Sequence, residues 1–214
     1  MKLWMIVAVL WISAGTVFAQ EARAGLVDVQ SLNPKIVVAL AYSTTQNFMG
    51  QDVYGELKTA YLQREVALKL AKAQVILQTK KSGYQLKILD AARPRSIQYQ
   101  MWALVKDTAQ QQYVANPESG SVHNYGCAVD LTIVDSLGKE LDMGTPYDFF
   151  GDLAQPQYEK KFLEQGQLTS AHVANRKLLR AVMLDAGFLP IANEWWHFDG
   201  VSKTLMKKKY RVIE

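Results

Sequence analysis

The spacing of apolar positions divides the chain into a few helices and several short strands. Between residues 57 and 81, Leu62, Val66, Leu70, Ala73 and Leu77 recur at three- and four-residue steps, which predicts an amphipathic helix. Lys80 and Lys81 suit its C-terminus and Gly83 suits its cap. A second helix is predicted behind Ser96 as cap, with Ile97, Met101, Leu104 and Val105 facing inward. A third covers 170–186, with Ser170 as cap, an apolar stripe at Leu179, Val182, Met183 and Ala186, and Gly187 beyond it. From 127 to 134 the period changes to two, the mark of a half-buried strand. Val129, Leu131 and Ile133 form its apolar face, so Ala128, Asp130 and Thr132 point the other way. Further strands are predicted over 36–42 and 86–90, and 188–198 closes the sheet. Asp135-Ser136-Leu137-Gly138 is a hairpin turn before a short return strand, whereas 43–55 and 143–150 are irregular. Helices and strands without a regular β-α-β alternation predict an α+β fold, a single domain with a small, mainly antiparallel sheet flanked by helices.

Composition changes this picture at the ends of the chain. Residues 1–19 have the pattern of a secretory signal peptide: Lys2 as the positive region, an apolar run over 3–12, and Val17-Phe18-Ala19 as cleavage site. The apolar run is short for a membrane span. The expectation is a domain over 20–214, exported to the periplasm or secreted after cleavage near Ala19, with no stable membrane anchor. The net charge is +4, of which Lys2 supplies one, leaving +3 for the rest. So mild and scattered an excess excludes a nucleic-acid-binding role. Lys207-Lys208-Lys209-Tyr210-Arg211 is expected to be a solvated tail. Cys127 is the single cysteine, so no intramolecular disulfide forms and no lipid-attachment cysteine stands near the cleavage site. A buried, inert thiol is its expected state, with metal ligation the alternative.

The chemistry concentrates in two stretches. Ser121-Val122-His123-Asn124-Tyr125-Gly126-Cys127-Ala128-Val129-Asp130 and Glu194-Trp195-Trp196-His197 hold two of the three histidines, with a carboxylate near each. A catalytic zinc takes three protein ligands and leaves a position for water, and His123, Asp130 and His197 would make such a set. The turn Asn124-Tyr125-Gly126 would fold His123 back beside Asp130. The plainer reading is a surface histidine and aspartate flanking a hairpin. Glu194 and His197 are three apart, a spacing that shares a face on a helical turn. Glu194 is then free to act as a base that accepts a proton from water and passes it to a departing amine. The intervening tryptophans would exclude water or simply belong to the core. In Asp90-Ala91-Ala92-Arg93-Pro94-Arg95, Arg93 or Arg95 could stabilise an oxyanion. Pro94 restricts the backbone of Arg93 and favours it, against a surface salt bridge. His172, without an acidic partner at ligand spacing, is expected on the surface.

The pattern Ser121-x-His123-x-x-Gly126-x-Ala128-x-Asp130 with Glu194-x-x-His197 resembles the zinc peptidases that cleave D-alanyl-D-alanine bonds. Within these the chain looks most like the VanX-type D-alanyl-D-alanine dipeptidases, relatives of the Hedgehog-like zinc peptidases. The likeness extends through Ala41-Tyr42-Ser43-Thr44, Asn47-Phe48, Asp90-x-x-Arg93-Pro94, Met143-Gly144, Tyr147-Asp148-Phe149 and Asn175-Arg176-Lys177-Leu178-Leu179-Arg180. It implies one zinc per chain on His123, Asp130 and His197 in a cleft of the domain, Glu194 as base and Arg93 at the oxyanion. It also implies that Ser121 and Asp148 hold the free amino group of D-Ala-D-Ala or a related cell-wall peptide. Ala92 and Asn124-Tyr125 depart from the aromatic residue and Ser-Arg pair usual there. The alternatives are a D,D-carboxypeptidase or endopeptidase of the same fold, or a non-catalytic zinc-dependent module that binds cell-wall peptide. Glu194 favours an enzyme, since a binding module needs no base beside an open metal position.

Overall fold

A computed structural model describes residues 25–214. The signal-peptide expectation over 1–19 lies outside them. The elements are β1 (Leu26–Asp28), α1 (Val29–Leu32), β2 (Val37–Val38), β3 (Tyr61–Gln63), α2 (Arg64–Lys80), β4 (Gln85–Asp90), α3 (Arg95–Val105), β5 (Ala128–Val134), α4 (Glu159–Glu164), α5 (Ser170–Ala186), β6 (Leu189–Pro190), β7 (His197–Asp199) and α6 (Lys203–Lys209). The main sheet has the order β2-β4-β5-β7-β6, and β1 pairs with β3 in a separate ribbon. Only β2 and β4 run parallel; the other neighbours are antiparallel. The fold is α+β with a mainly antiparallel sheet, as expected.

The apolar stripe of α2 is buried throughout, in one core with Val129, Leu131 and Ile133 of β5 and Leu179, Val182 and Met183 of α5. α2 and α5 pack on each other along that core. Gln74 interrupts the stripe, yet it is fully buried because it works as a splint. Its side-chain oxygen accepts from Leu86 N at 2.7 Å and its amide donates to Tyr84 O at 3.1 Å, tying α2 to the start of β4.

Several elements differ from the expectation, each for a local reason. β5 is buried at all seven positions rather than half-buried. It is the central strand, and residues 141–147 with Trp195 cover the face that carries Thr132. The predicted helix over 57–81 begins only at Arg64, since Tyr61–Gln63 are drawn into pairing with β1. It ends at Lys80 with Lys81 as cap, and Gly83 lies two residues further on at φ +80°. The strand over 36–42 shrinks to two residues before a 3-10 turn at Ala41–Ser43. Pro94, not Ser96, precedes α3, and Thr169 rather than Ser170 caps α5 by accepting from His172 N. In α3 the buried residues are Ile97, Gln98, Met101 and Val105, while Leu104 is exposed; the helix is turned to bring Gln98 inward, toward Arg93.

The C-terminal lysine cluster is solvated, as expected, but it lies on α6 and the chain around it is docked. Met206 and Ile213 are buried, and the Ile213 backbone bonds Asn124 O and accepts from Arg95 N, both at 2.7 Å. Cys127 is buried, and burial pushes its thiol up to about 12, so it is an inert core group as expected. Among the described residues no helix is long and apolar enough to cross a membrane.

The central position of β5 makes it the strand least able to tolerate a cavity. Leu131→Ala is expected to destabilise the fold by about 2–5 kcal/mol. Urea unfolding followed by circular dichroism checks this, and an unchanged midpoint would contradict the packing described.

Candidate metal and active site

Sheet register assembles the site. Asp130 and His197 are directly opposed across β5 and β7, so their side chains leave the sheet side by side. His197 Nδ1 lies 3.0 Å from Asp130 Oδ1. His123 comes from a single 3-10 turn, Val122–Tyr125, immediately before β5. Gly126 ends that turn at φ +64°, and a Cβ there would come within 2.7 Å of Leu26 Cδ2, so the left-handed backbone and the close approach both favour glycine. The reversal carries His123 back over the strand, with its Nε2 3.3 Å from Asp130 Oδ1 and 3.1 Å from His197 Nδ1. Glu194 stands at the edge of this triangle, Oε2 4.0 Å from His197 Nδ1. It shares no helix with His197: residues 194–196 are irregular and His197 opens β7, so a bend at the two buried tryptophans brings the pair together.

The donor set fits a metal. His123 Nδ1 lies 2.7 Å from Ala91 O, a pure acceptor, which places the proton on Nδ1 and leaves a lone pair on Nε2. His197 Nε2 lies 2.8 Å from Asp199 Oδ1, which leaves the lone pair on Nδ1. Two imidazole lone pairs and a carboxylate oxygen therefore converge on one point. Ligands about 2.0–2.1 Å from a tetrahedral zinc lie roughly 3.3 Å apart, close to the separations seen here. Three buried lone pairs so close repel one another unless a cation sits among them. With no metal, a proton serves: burial opposes charge on His197, yet hydrogen bonds to Asp130 and Asp199 push its pKa up to about 10. Burial likewise works to raise Asp130, and the two imidazoles override it, holding the carboxyl well below its usual range.

All seven site residues expected from the sequence, Arg93, Ser121, His123, Asp130, Asp148, Glu194 and His197, line one cavity of about 460 Å³. Arg93 is held by Asp90, with Nε 2.9 Å from Asp90 Oδ2 and Nη2 on the same oxygen, and Nη1 donates to Gln98 Oε1 at 2.9 Å. These bonds leave one N–H free on each terminal nitrogen, and Nη2 lies 3.9 Å from Asp130 Oδ2. Arg95 is turned away, paired with Glu214. Burial, against the pull of His197, pushes the Glu194 carboxyl up to about 7. Asp148 accepts from Tyr42 Oη at 3.0 Å and adopts φ +59°. Burial first and Asp130 second push it up to about 8, the signature of a carboxyl short of a cation. Ser121 Oγ caps the His123 turn, 3.4 Å from His123 N.

Sequence reasoning did not assign Tyr147, Asp90, Gln98 or Asp199. Tyr147 Oη donates to Asp130 Oδ2 at 2.9 Å, so the oxygen not facing the histidines is also held. A β-bulge between Ile88 and Asp90 sets Asp90 opposite Asp130 and turns it into the site, where Tyr54 Oη also donates to it at 2.7 Å. Asp199 was legible, because i and i+2 on a strand share a face. The bulge left no comparable mark. His172, expected on the surface, is half-buried against Asp142 at 3.1 Å and outside the cavity.

A buried donor set of two histidines and one aspartate with a glutamate beside it is a set that a metallopeptidase would use. A family model described as D-ala-D-ala dipeptidase matches residues 22–213, and the chain belongs to this family, peptidase family M15, whose members are zinc metallopeptidases. It is 35% identical over 174 residues to a protein of Escherichia coli (strain K12) named D-alanyl-D-alanine dipeptidase, covering 81% of this chain and 83% of that one. A protein of the same name in Enterococcus faecalis (strain ATCC 700802 / V583) is 29% identical over 73% of this chain and 82% of its own length. Another in Synechocystis sp. (strain ATCC 27184 / PCC 6803 / Kazusa) is 28% identical, and there the match spans 83% of this chain but 64% of the relative.

The geometry predicts one zinc per chain. Metal analysis is expected to show it lost from His123→Ala and His197→Ala and retained by Glu194→Gln, with Asp199→Ala weakening affinity about 10–100-fold. Full occupancy in both histidine variants would remove the assignment.

Proposed function

We propose that this protein is an exported zinc dipeptidase that hydrolyses D-alanyl-D-alanine, or a closely related D,D-dipeptide, to free D-amino acids. The observation that carries the reading is that the three converging donors, the Glu194 carboxyl and the cation-poor Asp148 carboxyl line one cavity. The names of the relatives support the substrate class. The signal-like residues 1–19 support export, after cleavage near Ala19.

Zinc held by His123, Asp130 and His197 would acidify a water and polarise the scissile carbonyl. Glu194, beside the three donors, takes a proton from the attacking water and delivers it to the departing amine. The amide C–N bond breaks, the carbonyl carbon gains the hydroxyl, and the second residue leaves as a free amine. Arg93 directs its free N–H groups at the developing oxyanion; Asp90 and Gln98 fix the guanidinium, so little reorganisation accompanies the reaction. Tyr147 keeps Asp130 in one orientation. At the other end of the substrate, Asp148 and Ser121 receive the ammonium group, which supplies the positive charge that the buried Asp148 lacks.

Glu194→Gln is expected to keep zinc and fold and to lose about 10²–10⁴-fold in kcat, because the amide accepts no proton. Turnover at the native rate would require a different base. N-acetylation of D-Ala-D-Ala is expected to abolish cleavage, since a site built for an amine leaves its polar groups unpaired against an acylated substrate. Comparable kcat/KM for free and acetylated dipeptide would favour a carboxypeptidase instead.

A further inference from the structure

Asn175-Arg176 lies far from the chemistry in sequence and lines no part of the cavity, yet Arg176 is among the largest fully buried side chains. A buried guanidinium is costly unless its donors are matched, and here no carboxylate bonds it. Its neighbour Glu159 is taken by Arg180, at 3.1 and 2.8 Å. Burial lowers Arg176 to about 10, which still leaves it charged at neutral pH.

Its partners are two backbone carbonyls ten residues apart. Nε donates to Met143 O at 2.7 Å, and Nη1 and Nη2 both donate to Leu153 O at 3.1 Å. Those carbonyls bracket the irregular segment that carries Tyr147 and Asp148. Helix α5 fastens the entry to the same segment twice more, through Asn175 Nδ2 to Asp142 O at 2.8 Å and through His172 to Asp142. The docking is close: a Cβ at Gly144, which sits at φ +80°, would stand 2.5 Å from Leu168 and 2.8 Å from His172. From this base the segment sends Tyr147 to Asp130 and Asp148, at its own positive φ, to Tyr42.

We infer that Arg176, seconded by Asn175, is a positioning residue for substrate recognition: it clamps both ends of segment 143–153 and thereby sets the Asp148 carboxylate at the place where the substrate's ammonium is bound. A planar fork presents donors on separate nitrogens, Nε toward Met143 O and Nη1 and Nη2 toward Leu153 O, whereas a lysine would have to bring both carbonyls to a single atom. The inference rests on the dipeptidase reading for the identity of the ammonium, and on hydrogen bonds alone for the clamp.

The test compares Arg176→Lys, Asn175→Ala and Asp148→Ala, singly and in pairs, in the zinc-loaded protein. Arg176→Lys is expected to keep zinc content, to speed amide hydrogen exchange within 143–153, and to raise KM for D-Ala-D-Ala about tenfold or more with a smaller change in kcat. Asn175→Ala is expected to do the same more weakly, and it decides the matter if Arg176→Lys does not fold. In the Asp148→Ala background the KM effect of either variant should vanish, a dependence that general loss of stability would not produce. Unchanged exchange and KM, or losses that multiply with Asp148→Ala, would overturn the inference. A native enzyme that leaves D-Ala-D-Ala intact would overturn the proposed function instead, and the exchange measurement would then decide the clamp alone.

Discussion

The structure depends on one crowded triangle, the lone pairs of His123 Nε2, His197 Nδ1 and Asp130 Oδ1 within 3.3 Å of one another. Left to themselves these atoms repel, and each is held in place from behind. Ala91 O fixes one imidazole, Asp199 the other, and Tyr147 the second carboxylate oxygen. These outer contacts come from the residue that follows β4, from β7 and from the segment after β5. The triangle therefore exists only when the sheet is assembled and the loop above it is docked. Binding a cation relieves the repulsion, so metal binding and the stability of this part of the fold are linked.

Around the triangle the charges are arranged so that each acidic group differs from its neighbours. Asp130 faces two imidazoles and is driven strongly acidic; Glu194, a short distance away, is desolvated and poised near neutrality. Asp148 is half-buried, and burial followed by Asp130 pushes it higher still. Asp90 is committed to Arg93, Tyr54 and the Ala91 backbone. Three carboxyl groups lining one cavity, Asp130, Glu194 and Asp148, thus stand in three different environments, with Asp90 behind them supporting Arg93. Residue type does not set these differences; environment does.

The aromatic residues supply the walls. Phe150 stacks with Tyr113 at 5.2 Å between ring centres and meets Phe48 at 4.9 Å, so three separate loops close on one another beside the cavity. Tyr42 carries Arg93 over its ring and bonds Asp148 through its hydroxyl. The long irregular stretch over 43–55 thereby has a function, and Tyr54 reaches from it to Asp90. A loop of that length survives inside a compact domain because its aromatic side chains bury themselves in the site.

Periodicity in the sequence was enough for the α+β class, the apolar faces of α2 and α5, and the phase of β5 that turns Asp130 away from the core. Those features are local: an apolar stripe or a period-two alternation is decided by neighbours a few residues apart. The candidate ligands and base were legible because histidine is scarce in this chain and the motifs pair it with carboxylates. Tertiary structure alone decided what those residues meet. Sheet register set Asp130 opposite His197, and a bulge in β4 set Asp90 opposite Asp130 on its other side. Burial of both faces of β5 followed from its central place in the sheet. The docked C-terminus and the burial of Arg176 depend on partners distant in sequence. Hydrogen bonds to residues 20 to 120 positions away leave no local period, so no reading along the chain could supply them.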